Sequence, residues 1–131
     1  IPVIEISLPI DQSAEELYKI GQTLAALREK QILIIGSGSI THNLAELTWH
    51  GDAAQVPKWA SGFRNYVVSK LAHRDYPAIL NYSSIPYMQQ NHPTLEHLAP
   101  LFFAMGTGQL FSIVHSSFSM GSLGMDIYRF D

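Results

Sequence analysis

The first forty residues run apolar, amphipathic, apolar, and that order limits the folds open to this chain more than any other feature. Ile1 to Leu8 is apolar, rich in β-branched residues and stops before Pro9, which is the pattern of a buried strand. Ser13 stands three residues before Glu16, a capping-box spacing. Leu17, Ile20, Leu24 and Leu27 follow at helical spacing, with Arg28 and Lys30 near the end, so a helix is predicted over about 13–29. Ile32-Leu33-Ile34-Ile35 is a short all-apolar strand, stopped by Gly36-Ser37-Gly38-Ser39. Strand, helix, strand with both strands apolar is the βαβ unit of a sheet covered on both faces. The expected fold class is therefore α/β: a central mixed or largely parallel sheet with helices on both faces.

Further along, Trp59, Phe63, Val67 and Leu71 recur every four residues and predict a helix over about 57–72, with Pro57 in its first turn. Asp75 to Leu80 suits a short helix, and Asn81 to His92 is polar and irregular around Pro86. Pro93 opens a helix expected to run to Met105 and to close at Gly106. Its buried stripe would be Leu98, Leu101, Phe102 and Met105, and Pro100 inside it would kink it or mark a break between two short helices. Phe111 to Phe118 is strand-like, and Met125 to Phe130 is a short closing strand. Residues 43–56 have no clear period and read as a loop. No repeat or linker divides the chain.

Composition excludes several functions. Hydrophobic residues make up 47% and charged residues 15%, a globular balance that rules out disorder. The low charge also suggests apolar surface meant for a partner. Net charge is −3, from eight Lys+Arg against eleven Asp+Glu, with no basic patch, so neither nucleic acid nor an anionic membrane is an expected partner. No apolar run reaches the ~18 residues needed to span a bilayer. The chain has no cysteine, which removes disulfides, thiolate catalysis and Cys-based zinc sites together. A reducing, cytoplasmic setting is compatible with that and is the expectation. The start, Ile1-Pro2-Val3-Ile4, carries no Met and no signal-peptide pattern, and reads as a fragment or a processed chain.

Six histidines carry most of the remaining chemistry. His42 follows Gly36-Ser37-Gly38-Ser39-Ile40-Thr41, directly beyond the second apolar strand, where open α/β sheets bind ligands. A neutral imidazole there can bind metal or act as a base near pH 7, or simply bond its own turn. The Gly-Ser-Gly run lacks both the P-loop lysine and the third glycine of a dinucleotide fingerprint. Ser37 and Ser39 are poor nucleophiles without a Gly-x-Ser-x-Gly elbow and an acid partner. His92 precedes the Pro93 helix and His97 lies within it beside Leu98 and Leu101. An imidazole among such residues needs a hydrogen bond or a metal, and a bonded core histidine is the plain alternative. Glu96 and His97 are adjacent and point about 100° apart, so they are not a zincin pair. His50 reads as a solvated loop residue, His73 as a helix C-terminal residue, and His115 as a strand residue. Tyr82, Tyr87 and Met88 read as packing, with Asn81, Gln89 and Gln90 leaving room for a pocket wall.

Three segments together resemble the class III, LigB-type, extradiol ring-cleavage dioxygenases, in the DOPA 4,5-dioxygenase-like branch. They are Gly36-Ser37-Gly38-Ser39-Ile40-Thr41-His42-Asn43-Leu44, His92-Pro93-Thr94-Leu95-Glu96-His97-Leu98-Ala99-Pro100-Leu101, and Gly124-Met125-Asp126-Ile127-Tyr128-Arg129-Phe130. They occur in the family's order over nearly the whole chain. The resemblance implies a non-haem Fe(II) that holds a catechol, DOPA-like or a related aromatic diol, and reacts it with O2 beside its hydroxyls. Zinc readily fills such sites during purification. By motif, His97 resembles a metal ligand and His42 resembles the acid/base histidine, which can itself approach the metal. His92 resembles a pocket residue, although either His92 or His97 aligns as the ligand. Ser39 and Thr41 would line the substrate pocket. The family's other two ligating histidines lie in an N-terminal half with no counterpart here. The chain thus resembles a C-terminal portion, expected to be inactive alone and to expose an apolar face to that half or to a second copy in a homo-oligomer. The alternatives are another metal-assisted enzyme on this scaffold and a non-catalytic binding module.

Overall fold

Ser13 caps the first helix through both bonds of a capping box. Its hydroxyl accepts the Glu16 N–H at 3.2 Å, and the Glu16 carboxylate accepts the Ser13 N–H at 2.8 Å. The computed structural model describes residues 1–9, 11–49 and 55–131, so His50 lies outside the described residues. Helix α1 spans Ala14–Leu24 and tightens into a 3-10 turn over Ala25–Lys30, ending at Gln31 with φ 60°. Helix α2, Lys58–Ala72, buries Ala60, Phe63, Val67 and Leu71, the predicted period-four stripe. The short α3, Tyr76–Leu80, and single-turn α4, Met88–Asn91, lead to α5, Ala99–Gly106.

Helix α1 packs on α5 with no side chain between them at the crossing. A Cβ on Gly21 would fall on the Phe103 carbonyl oxygen, and one on Gly106 on the Tyr18 carbonyl oxygen. Leu17, Phe63, Val67, Leu71, Ile79, Leu98, Phe102 and Met105 form a fully closed core. Each such burial stabilises the fold by roughly 1.5–3 kcal/mol. Helix α5 starts at Ala99, not at Pro93. Pro100 therefore sits in its first turn, where the missing N–H would be unpaired anyway, and no interior kink arises. His97 accordingly precedes the helix instead of lying inside it.

The strands differ from expectation. β1, Phe111–His115, pairs antiparallel with β4, Ile127–Phe130, in a register that sets Phe111 opposite Phe130. β2, Phe118–Ser119, pairs antiparallel with β3, Leu123–Gly124. The described residues thus mix helices with two antiparallel pairs, and the expected central parallel sheet is not found among them. Neither Ile1–Leu8 nor Ile32–Ile35 forms a strand. An apolar β-branched run suits a strand, but a strand also needs a neighbouring edge for its N–H and C=O groups. Among the described residues these segments pair with no such edge, and Ile1, Val3, Ile4, Leu33 and Ile35 are all at least 74% exposed. Among the described residues no helix is long and apolar enough to cross a membrane.

Candidate active site around His42 and His97

Two distant segments are tied together backbone to backbone. The Ser39 N–H donates to the His97 carbonyl at 2.9 Å, and the His42 N–H donates to the Asn91 carbonyl at 3.1 Å. Gly38 makes this approach feasible, because a Cβ there would fall on the His97 carbonyl oxygen. The 39–42 segment is also held from its other side. The Thr41 hydroxyl donates to the Ser122 carbonyl at 2.7 Å, and the Gly124 N–H donates to the Thr41 carbonyl at 3.3 Å. The Ser39 hydroxyl lies 2.9 Å from both the Thr41 and Gly124 carbonyl oxygens, and donates to one at a time.

This scaffold stacks the His42 and His97 rings, with centroids 3.5 Å apart and planes 22° from parallel. Burial first, and then the adjacent His97 ring, hold the His42 pKa below the usual imidazole value. His42 is therefore neutral near pH 7 and can accept a proton. Glu96 stands beside the pair, its Oε1 4.0 Å from His97 Nε2. The Thr94 hydroxyl donates to that carboxylate at 2.7 Å and, with the residue's own backbone N–H, lowers its pKa. His97 is 40% exposed in its side chain and lines a cleft of about 630 Å³ together with Ile35, Ser39, Pro100 and Asp126.

Not every candidate from the sequence reaches this cleft. Thr41 and His92 are 0% and 4% exposed, closed off from solvent, although both were expected on a pocket wall. His92 Nε2 donates to the Ile40 carbonyl at 2.9 Å, and burial pushes its pKa down to about 4. His73 caps α2, bonding the Ser69 carbonyl through Nδ1 at 2.8 Å. His115 is exposed and bonds the Ser117 hydroxyl at 2.8 Å. Two residues stand in or beside the motifs without a role assigned from the sequence. Asn91 is fully buried and donates through Nδ2 to the Trp59 and Tyr87 carbonyls at 3.0 and 2.9 Å. Asp126 keeps a 1% exposed side chain 3.8 Å from Arg64 Nη1. An asparagine in an irregular polar stretch gives no periodic signal, and only its place beside His92 marked it.

Imidazoles are suitable donors for a divalent transition metal. However, no group of three or more His, Cys, Asp or Glu side chains able to hold a metal occurs among the described residues. His42 and His97 fit as part of a donor set, and an ion there would need further ligands from outside these residues.

Comparisons with known proteins identify the family. The family model described as the catalytic LigB subunit of aromatic ring-opening dioxygenase matches residues 1–131. A protein named 4,5-DOPA dioxygenase extradiol from Escherichia coli K12 is 34% identical over 95% of this chain and 48% of its own length. The protein of the same name from Beta vulgaris is 33% identical over 99% of this chain and 49% of its own. The crystal structure of an uncharacterized protein, JW3007, from Escherichia coli K12 superimposes with a TM-score of 0.83 at 31% identity, over 94% of this chain and 53% of that one. The chain thus spans about half the length of the curated relatives it matches. With the family model matching from end to end, the chain belongs to the LigB family of aromatic ring-opening dioxygenases.

Proposed function

We propose that this chain is part of an extradiol dioxygenase that opens the ring of a catechol, DOPA or a related aromatic diol, with O2. The observation that carries the reading is the His42 ring stacked at 3.5 Å on His97, which lines the cleft. It occurs in a chain whose relatives are named 4,5-DOPA dioxygenase extradiol. His42, neutral at physiological pH, takes the proton of a substrate hydroxyl and later returns a proton to the product, a role worth roughly 10²–10⁴ in rate. His97 contributes one imidazole to a non-haem Fe(II), for which zinc is a substitute in purified protein. Bound iron(II) supplies the open positions at which a catecholate and dioxygen meet. The Ser39 side orients the substrate at the cleft wall.

The remaining ligands belong to the further half that the relatives' length implies, so residues 1–131 alone are inactive. The exposed Ile1, Val3, Ile4, Leu33 and Ile35 are the apolar surface that this half, or a second copy, covers. The test uses the protein at its natural length, loaded with Fe(II) and given L-DOPA. Formation of the yellow semialdehyde is expected. His42→Ala should cut kcat by about 10²-fold or more, and His97→Ala should release the iron. An iron-free protein without ring cleavage would overturn the reading in favour of a binding module of the same fold.

A further inference from the structure

We infer that His92 is the positioning residue of this site: its Nε2–H, bonded to the Ile40 carbonyl, fixes the turn that sets the His42 ring against His97. The inference rests on the reading of His42 as the working base, and it concerns how that base is aimed. His92 is only 4% exposed and packs against Phe63 with ring centroids 5.3 Å apart. It therefore touches no substrate. Ile40 offers a carbonyl oxygen, which only accepts, so the ring proton sits on Nε2. Nδ1 then carries a lone pair, and it is buried with no hydrogen-bond partner among the described residues.

Burying an imidazole with one nitrogen unpaired costs free energy that an aliphatic side chain of like volume would avoid. Packing alone thus gives no reason for histidine at this position. The bond to Ile40 does give one. Asn91 and His92 act on the loop as a bracket: the Asn91 carbonyl receives the His42 N–H, and the His92 ring donates to Ile40 two residues earlier. Asn91 is itself fixed to Trp59 and Tyr87. Thr41 between the two points is held from the opposite side by Ser122. With the backbone of 40–42 fixed at three points, the direction of the His42 Cα–Cβ bond is fixed as well. From that direction the His42 ring reaches the 3.5 Å stack on His97.

The test follows the ring protons of His42 and His97 by NMR in the protein at its natural length. Each ring lies over the face of the other, so both carry upfield ring-current shifts. His92→Gln places an N–H at the reach of Nε2. His92→Asn stops short of it, and His92→Leu fills the space without a donor. The Gln variant is expected to keep the upfield shifts and kcat. The Asn and Leu variants are expected to lose the shifts while their spectra stay dispersed, with kcat down roughly a hundredfold at little changed KM. Unchanged ring shifts in His92→Leu would overturn the inference and make His92 a space-filling residue. Should Asn and Leu fail to fold, the wild-type protein decides: a slowly exchanging His92 Nε2–H is expected, and its absence refutes the bond. Ring shifts that follow the donor in a protein that opens no catechol would support the positioning role and refute the catalytic reading.

Discussion

Lowering the pH from 7 to 4 should destabilise this protein through His92. Burial first, and then the nearby His42 and His97, push its pKa down, while the bond to Ile40 and the charge of Glu96 pull it up. The net result is a folded-state value of about 4 against an ordinary 6.5. A histidine so depressed binds its proton more readily when unfolded. Its stabilising effect is complete above pH 6.5, declines as the pH falls, and levels off below 4. At about 1.36 kcal/mol per pH unit, the gap corresponds to roughly 3 kcal/mol. Urea unfolding at fixed pH steps, on wild type and His92→Gln, measures it, because glutamine does not titrate and the carboxylates are common to both. Wild type should lose about 3 kcal/mol relative to the variant between pH 7 and 4. A difference that stays constant across that range would show that His92 is not held neutral by burial, and the reasoning would fail.

Two further substitutions probe the scaffold. Gly38→Ala sets a methyl against the His97 carbonyl and should break the 2.9 Å Ser39–His97 bond. A loss of about 1–3 kcal/mol in urea unfolding is expected, together with loss of the His42–His97 ring shifts. Ser13→Ala removes the hydroxyl that caps α1. It should lower stability by about 1 kcal/mol in thermal unfolding and leave the site unchanged.

The sequence shows much of this fold where the signal is local. Ser13 and Glu16 mark the start of α1, and Phe63, Val67 and Leu71 mark the buried face of α2, because capping and helical periodicity involve residues a few positions apart. Ile1–Leu8 and Ile32–Ile35 read as strands for a sound reason, yet strand formation depends on a partner edge, which no local pattern reveals. Pro93 suits a first turn by its local sequence, yet α5 begins at Ala99 with Pro100 in its first turn, a choice that no local pattern reveals. Within the site, His42 and His97 stood out by residue type and motif, and the structure brings them into contact. The burial of Thr41 and His92, and the part played by Asn91, depend on contacts across about fifty to eighty residues of chain, beyond any spacing rule.

Two of the bonds that join the two halves of the site run through main-chain groups at the paired histidines themselves: the carbonyl of His97 and the N–H of His42. Each histidine thus serves two separate ends, its backbone as a fastening and its imidazole as a reagent. Exchanging either ring leaves the fastening in place, since every residue but proline carries the same N–H and every residue the same C=O. The reactivity of this site can therefore be rewritten one side chain at a time on an unaltered frame, so that a relative with different residues at 42 and 97 would keep the same loop geometry while doing other chemistry or none.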